Sequence, residues 1–142
     1  MTKTMPNLTT KRRGEVAEAA FLHKAASLGF SVAKPWGESD RYDFIVETGD
    51  RFLRVQVKSA YSGTKDGGYT IHAHGNQPTD VYTSCDIDFL VAYIVPVNVW
   101  YVLPIHVFLR IAGAKLFPSS RRRMSRFEKY REAWSLMTDP AK

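Results

Sequence analysis

The longest uncharged stretch of this sequence runs from Phe89 to Leu109, where only His106 could carry a charge. A stretch of this length could span a bilayer as a helix. Two prolines interrupt it, however, and β-branched and aromatic side chains dominate it, which favours strands. We therefore predict a buried β-hairpin, with strands at Phe89–Val95 and Val99–Leu103, and no membrane segment.

The part of the chain before this hairpin predicts one helix followed by strands. Apolar residues recur at helical spacing from about Thr10 to Leu28, and Gly29 follows as a helix terminator. The buried arc of this helix is predicted to contain Ala17, Phe21, Ala25 and Leu28. Strands are predicted at Phe30–Ala33, Tyr42–Glu47, Phe52–Ala60 and Tyr69–His74. The segment Gly75–Ser84 is predicted to be irregular.

Two shorter helices are predicted after the hairpin. The first opens at Pro104 and ends near Gly113. The second covers Ser125–Met137, where Phe127, Tyr130, Trp134 and Met137 recur at helical spacing and are assigned to core packing. This order of elements predicts an α/β fold, with a mixed central β-sheet flanked by helices.

Length and composition suit a single domain. The chain has 142 residues, of which 44% are hydrophobic, so one compact core is expected. We predict one domain over residues 1–142, with its core at about 11–110 and a C-terminal helical segment at about 119–138. No secretory signal is visible at the start of the sequence, and a cytoplasmic location is expected.

The single cysteine, Cys85, excludes a disulfide framework and a cysteine-based zinc site. Its sequence context predicts a small buried side chain beside a strand. A lone thiol of this kind is consistent with the reducing cytoplasm.

Basic residues exceed acidic ones, 20 to 14, which gives a formal net charge of +6. They concentrate at residues 11–13 and at Arg121, Arg122, Arg123 and Arg126. Such clusters can neutralise phosphates, and they can equally be solvated protein surface. Charge alone therefore leaves a nucleic-acid partner open.

A possible site emerges from the strand predicted at Phe52–Ala60. Alternation puts Gln56 and Lys58 on the face opposite the apolar residues. Asp43 opens the partner strand, and Glu18 falls within the apolar arc of the first helix, with Glu15 on the same flank. A carboxylate on a buried helix face is costly unless it is paired or holds a metal. The alternative is that Glu18 reaches outward or pairs with a basic residue.

These residue types have a common chemistry if they converge. Two carboxylates and an amide oxygen are hard oxygen ligands of the kind that Mg²⁺ prefers, and Mn²⁺ can substitute for Mg²⁺. A bound divalent ion lowers the pKa of a water molecule and neutralises charge on a phosphate. A lysine two residues along the strand could stabilise negative charge that develops in a reaction.

Asp43, twelve further residues and then Gln56-Val57-Lys58 resemble the PD-(D/E)xK nuclease core, with Gln in the acidic position. Gly14-Glu15-Val16-Ala17-Glu18 is similar to the helix motif of archaeal-type Holliday junction resolvases. The segment from Pro35 to Asp43 resembles the bacterial branch that includes intron-encoded homing endonucleases, in which Gln in this position is a known variant. The resemblance implies a restriction-endonuclease-like core.

Carried over residue by residue, the resemblance implies a role for each position. Asp43, Gln56 and Glu18 would bind the metal, with Glu15 as a second candidate for the helical ligand, and Lys58 would be the catalytic lysine. In the loop before Asp43, Ser39 and Arg41 could contact a phosphate. For Arg41, a surface ion pair is an equal alternative.

The leading hypothesis is a Mg²⁺-dependent DNA endonuclease that acts as a dimer or larger homo-oligomer, since both strands must be cut. Loss of the carboxylate at Gln56 lowers the expected metal affinity and favours one metal over two. The competing hypothesis is a catalytically inactive module of the same fold that binds nucleic acid or protein.

Overall fold

The computed structural model describes residues 6–75 and 77–138. The residues examined for a secretory signal, 1–5, lie outside this range, as do Asn76 and the last four positions of the predicted domain.

A five-stranded sheet and a two-stranded sheet form the framework of the protein. The helices and strands are α1 (Thr10–Ser27), β1 (Ser31–Ala33), β2 (Phe44–Thr48), β3 (Arg51–Ala60), β4 (Tyr69–His72), β5 (Phe89–Ile94), β6 (Val99–Pro104), β7 (Gly113–Leu116) and α2 (Ser135–Thr138). The larger sheet has the order β1-β2-β3-β5-β6, and β4 pairs with β7 in the smaller one. β3 and β5 are parallel, whereas the other neighbours in the larger sheet are antiparallel, so the central sheet is mixed as predicted.

Helix α1 has clear signals at both ends. The Thr9 side chain caps its start by accepting a hydrogen bond from the backbone N–H of Arg12 at 3.2 Å. Gly29 follows its end with a φ of 82°, and its N–H donates to the carbonyl of Ala26 at 3.0 Å. Glycine adopts this left-handed conformation without the penalty that a Cβ brings. The helix therefore matches its predicted bounds to within one residue.

The two faces of the larger sheet are covered by different elements. One face packs against α1, and Phe21 there contacts the rings of Phe44, Trp100 and Trp134. The other face packs against the small sheet, through Ile71 and Leu116 among others. The charge-free stretch forms the predicted hairpin between the core clusters, since alternate residues of β5 and β6 enter one cluster or the other.

The two helices predicted after the hairpin are not formed. After Pro104 the chain makes one short 3₁₀ turn, Ile105–Val107, and then enters strand β7. Between Ser125 and Met137 it makes a 3₁₀ turn and the four-residue α2. Within the described residues, α1 is thus the only helix of more than four residues, and a sheet flanked by several helices is not what the structure has.

Residues 125–137 do not form the predicted helix, because part of their backbone pairs with the edge strand β6. Glu132 has a φ of 49°. Its backbone N–H donates to the carbonyl of Trp100 at 2.8 Å, while its side chain accepts from the backbone N–H of Trp100 at 2.9 Å. A left-handed residue ends a helix. The prediction of core packing was nevertheless correct for Phe127, Trp134 and Met137, which are buried.

Two further burial predictions were wrong. Cys85 is exposed, because it lies in a turn at the surface. Its own backbone carbonyl there accepts a hydrogen bond from the Arg54 side chain at 2.6 Å. Leu28 is 39% exposed, because it forms the C-cap after the last turn of α1. No helix in the described ranges is both long and apolar enough to cross a membrane.

Candidate active site

Asp43 lies immediately before β2, where strand pairing holds both its backbone and its side chain. Its backbone N–H donates to the carbonyl of Val55, and its Oδ2 accepts from the backbone N–H of Val57, each at 2.8 Å. Burial is the main cause that raises the pKa of Asp43 to about 6, with the charge of Glu18 acting in the same direction. The hydrogen bond from Val57 and the charge of Lys58 oppose this shift.

Gln56 and Lys58 point from β3 to the same side of the sheet. Both are partly exposed, whereas Val55 and Val57 between them are buried on the α1 side. One terminal atom of the Gln56 amide lies 2.7 Å from Oδ2 and 3.1 Å from Oδ1 of Asp43. The other lies 3.1 Å from the hydroxyl of Tyr82. The alternation predicted for β3 thus brings Gln56 directly to Asp43.

Lys58 is the cation of this group. Its Nζ donates to the backbone carbonyl of His74 at 3.3 Å and lies 5.6 Å from the centre of the Tyr82 ring. Burial lowers the pKa of Lys58, while the charge of Asp43 opposes that shift. The ammonium group is therefore held in place by the chain after β4 and lies within the electrostatic influence of Asp43.

The two helical carboxylates have different positions. Glu18 is half-buried, and its Oε1 accepts from Lys34 Nζ at 3.1 Å. Glu18 and Lys34 line one cleft together with Asp43. Glu15 instead forms an ion pair with Arg12 at 3.1 Å on the exposed side of the helix. The structure therefore brings Glu18 near Asp43, but not Glu15.

The two further candidates in the loop before Asp43, Ser39 and Arg41, have different surroundings. Ser39 is exposed. Arg41 forms ion pairs with Asp80 at 3.0 Å and with Asp86 at 3.1 Å. Its guanidinium also lies 4.7 Å from the centre of the Tyr82 ring. These contacts favour the ion-pair alternative for Arg41, and they tie the segment 75–86, whose described residues lie outside the helices and strands, to the site.

Sequence reasoning missed Tyr82. It lies in the segment predicted only as irregular, yet it is 4% exposed and reaches Gln56, Lys58 and Arg41. The only signal in the sequence is an aromatic residue beside Val81, in the short stretch between Asp80 and Asp86. That signal does not say which residues Tyr82 contacts.

Comparisons with known proteins show the family of the chain and a similar structure. Residues 8–137 match the PD-(D/E)XK endonuclease family. This chain belongs to the PD-(D/E)XK endonuclease family. The structure is also similar to that of I-Ssp6803I, described as a bacterial homing endonuclease, with 32% sequence identity and a TM-score of 0.83. The match covers 92% of this chain and 93% of the other. No curated protein matches the chain in sequence.

The side chains gathered around Asp43 fit a divalent cation in the chemistry of their donors. Asp43 supplies a carboxylate, Gln56 can turn its amide oxygen toward it, and Glu18 lines the adjoining cleft. All are oxygen ligands of the type that Mg²⁺ accepts, with water in the remaining positions. Among the described residues, no three His, Cys, Asp or Glu side chains form a metal-binding group. With water in the remaining positions, the donor set suits one divalent ion.

The basic cluster near the C-terminus is a feature of the surface. Arg121, Arg122, Arg123 and Arg126 are all exposed. Arg123 pairs with Asp66 at 3.4 Å, and Arg126 packs over the ring of Phe127. The backbone N–H groups of Arg122 and Arg123 donate to the Ser120 hydroxyl, which fixes the turn that presents the cluster. Its binding of nucleic acid stays a prediction.

Proposed function

We propose that this member of the PD-(D/E)XK family is a metal-dependent DNA endonuclease that hydrolyses phosphodiester bonds, with Mg²⁺ as its cofactor and Mn²⁺ as a substitute. The observation that carries the proposal is the contact of Asp43 with Gln56 beside Lys58, on adjoining strands of a chain from this family. The alternation of β3 puts the amide and the ammonium group on one side of the sheet. The strand pairing with β2 puts the carboxylate beside them.

Asp43 and the Gln56 oxygen would hold the ion, with Glu18 as a ligand either directly or through water. When bound, the ion would neutralise charge on the scissile phosphate and lower the pKa of a water molecule. Hydrogen bonding from Val57 fixes Oδ2 of Asp43, so the orientation of the carboxylate does not depend on the ion. Lys34 forms an ion pair with Glu18, and this ion pair would have to break if the Glu18 carboxylate bound the metal directly.

Lys58 would act on the reacting groups. Its side chain lies on the same side of β3 as Gln56, which lines an open cleft together with Asp43. There it would orient the attacking water and stabilise the negative charge that develops on the phosphate. The carbonyl of His74 would hold the lysine in this position.

DNA is the substrate that we propose, because the similar structure is that of a homing endonuclease. The net charge of +6 would add attraction to the phosphate backbone that does not depend on sequence. Nucleases of this class commonly act as a dimer or larger assembly so that both strands are cut, and we propose a dimer or tetramer in the cytoplasm. Similarity to Holliday junction resolvases remains a prediction from the helix motif, and branched DNA is therefore one of the substrates to test.

A second candidate function rests on Gln56 itself. If its amide nitrogen faces Asp43, it donates to that carboxylate and satisfies it without any ion. A chain locked in this arrangement would keep the fold and the basic surface but lack metal-dependent cleavage. It would then be an inactive module that binds nucleic acid or protein.

Cleavage assays with Lys58→Ala test the two candidates. Purified protein is incubated with duplex, branched and single-stranded DNA in Mg²⁺, in Mn²⁺ and in EDTA, and DNA binding is measured separately. An endonuclease should cut in either metal but not in EDTA, and Lys58→Ala should abolish cutting while binding persists. Lys129→Ala, which removes the same charge from an exposed turn, is the matched control. Binding without cleavage in any metal would favour the inactive module.

A further inference from the structure

The side-chain amide of Gln56 lies between the hydroxyl of Tyr82 and the carboxylate of Asp43. One terminal atom is 3.1 Å from the Tyr82 oxygen, and the other is 2.7 Å from Oδ2 of Asp43. Which of the two is nitrogen decides whether Asp43 faces a hydrogen-bond donor or a second oxygen.

In either orientation of the Gln56 amide, the Tyr82 hydroxyl keeps its hydrogen bond to that amide, because a phenolic hydroxyl can donate or accept. With nitrogen toward Asp43, the amide donates to the carboxylate and to the backbone carbonyl of Arg41 at 3.2 Å, and Tyr82 donates to the amide oxygen. With oxygen toward Asp43, the amide nitrogen donates to Tyr82. The second orientation places the Gln56 oxygen beside the acceptor oxygens of Asp43 and Arg41, which is unfavourable unless a cation is bound by these oxygens.

We propose that Tyr82 is a positioning residue that holds Gln56 with its oxygen toward Asp43 when a metal binds, and so lets an amide serve where the family has a carboxylate. The inference rests on the proposed metal-dependent function. A glutamate in this position would need no such partner, because both of its oxygens can bind a cation. Glutamine has one suitable oxygen, so an acceptor for its nitrogen is required on the side away from the metal.

The surroundings of Tyr82 hold its hydroxyl where this role needs it. The side chain is 4% exposed, with Arg41 on its ring at 4.7 Å and Lys58 at 5.6 Å. Arg41 is in turn held by Asp80 and Asp86 from the same segment. Burial raises the pKa of Tyr82, so the hydroxyl keeps its proton at neutral pH and can act in either direction. The ring is therefore fixed and the hydroxyl remains adaptable.

Mn²⁺ binding to the full chain tests the proposal. Affinities are measured by electron paramagnetic resonance for the native chain, for Tyr82→Phe, for Gln56→Glu and for the double variant. Loss of one hydrogen bond that orients a ligand should weaken Mn²⁺ binding by about fivefold in Tyr82→Phe. In the Gln56→Glu background the same substitution should change the affinity by less than about twofold, since no amide remains to be oriented.

Tyr93→Phe is the matched control, because it also removes one hydroxyl, which donates to Asn98 elsewhere in the fold. It should leave Mn²⁺ affinity unchanged. Thermal unfolding of each variant shows whether it is folded. Equal weakening by Tyr82→Phe in both backgrounds would assign Tyr82 a general structural role and overturn the proposal. No weakening of Mn²⁺ binding in either background would also overturn it. If the native chain binds no Mn²⁺, the proposed metal-dependent function fails as well, which distinguishes that failure from failure of the role of Tyr82 alone.

Discussion

The carboxylate of Asp43 accepts a hydrogen bond from the backbone N–H of Val57 at 2.8 Å. This contact joins the residue before β2 to the centre of β3. Because Val57 stands between Gln56 and Lys58, the same hydrogen bond sets the position of Asp43 relative to both side chains. Strand pairing thus brings the side chains of Asp43, Gln56 and Lys58 together.

The position of Asp43 has a cost in stability that a neutral side chain would remove. Its pKa is about 6 in the folded chain against an ordinary 3.8, so the folded state binds more protons between about pH 4 and pH 6. The free energy of unfolding should therefore fall as pH rises through this window. Asp43→Asn should be more stable than the native chain at pH 7, by up to about 3 kcal/mol and by less where the Gln56 amide nitrogen donates to the carboxylate, and similar to it at pH 4.

Urea unfolding in EDTA at several pH values between 4 and 8 measures this difference. Asp50→Asn provides the control, because it makes the same chemical change in an exposed turn between β2 and β3. A stability difference between Asp43→Asn and the native chain that stays constant across the pH range would contradict the prediction. Cleavage by Asp43→Asn should be lost at every pH, since the proposed metal loses its carboxylate.

Local patterns in the sequence were sufficient to predict the elements whose ends are marked by residues within or next to them. Helix α1 has its own cap and terminator, and the turn at Gly49 fixes the pairing of β2 with β3. The wrong helix over 125–137 shows the limit of periodicity. Phe127, Trp134 and Met137 are buried as predicted, but the backbone between them follows the edge strand β6 through Glu132. Spacing reports which side chains are buried and does not report this backbone pairing.

The candidate site could be predicted in part for the same reason. Gln56 and Lys58 share a side of β3 through alternation alone, and Asp43 follows from pairing across a short turn. Tyr82 and the ion pairs of Arg41 depend on a segment with little regular structure, placed by contacts distant in sequence. Strand β7 was missed similarly, since its partner β4 is more than forty residues earlier.

Arg41 should hold the segment 75–86 against the site. Its two ion pairs and its contact with Tyr82 would all be lost in Arg41→Ala. We expect backbone amide exchange at Gly75 and Asp80 to become several-fold faster, because their hydrogen bonds lie within that segment. Arg41→Lys should restore protection only partly, since an ammonium group cannot reproduce the planar, two-sided contact.

Hydrogen exchange followed by mass spectrometry or NMR measures this local opening. Arg12→Ala removes an exposed ion pair on α1 and the same charge, so it controls for net charge. Exchange in segment 75–86 that is the same in Arg41→Ala as in Arg12→Ala would show that Arg41 does not hold the segment.

The C-terminal arginines should contribute to DNA affinity without affecting the chemical step. Arg121 and Arg122 are the pair to replace, because Arg123 is engaged with Asp66 and Arg126 lies on the Phe127 ring. Each phosphate contact contributes about 0.9 to the slope of log affinity against log salt concentration. The variant with both Arg121→Ala and Arg122→Ala should therefore have a slope smaller by about 1 to 2, and cleavage at saturating protein should be unchanged. Fluorescence anisotropy titrations across salt concentrations provide the slope, and Lys129→Ala combined with Lys24→Ala, both outside the two basic clusters, matches the charge lost. A slope equal to that of this control would assign the cluster to solvated surface, the alternative that charge alone left open.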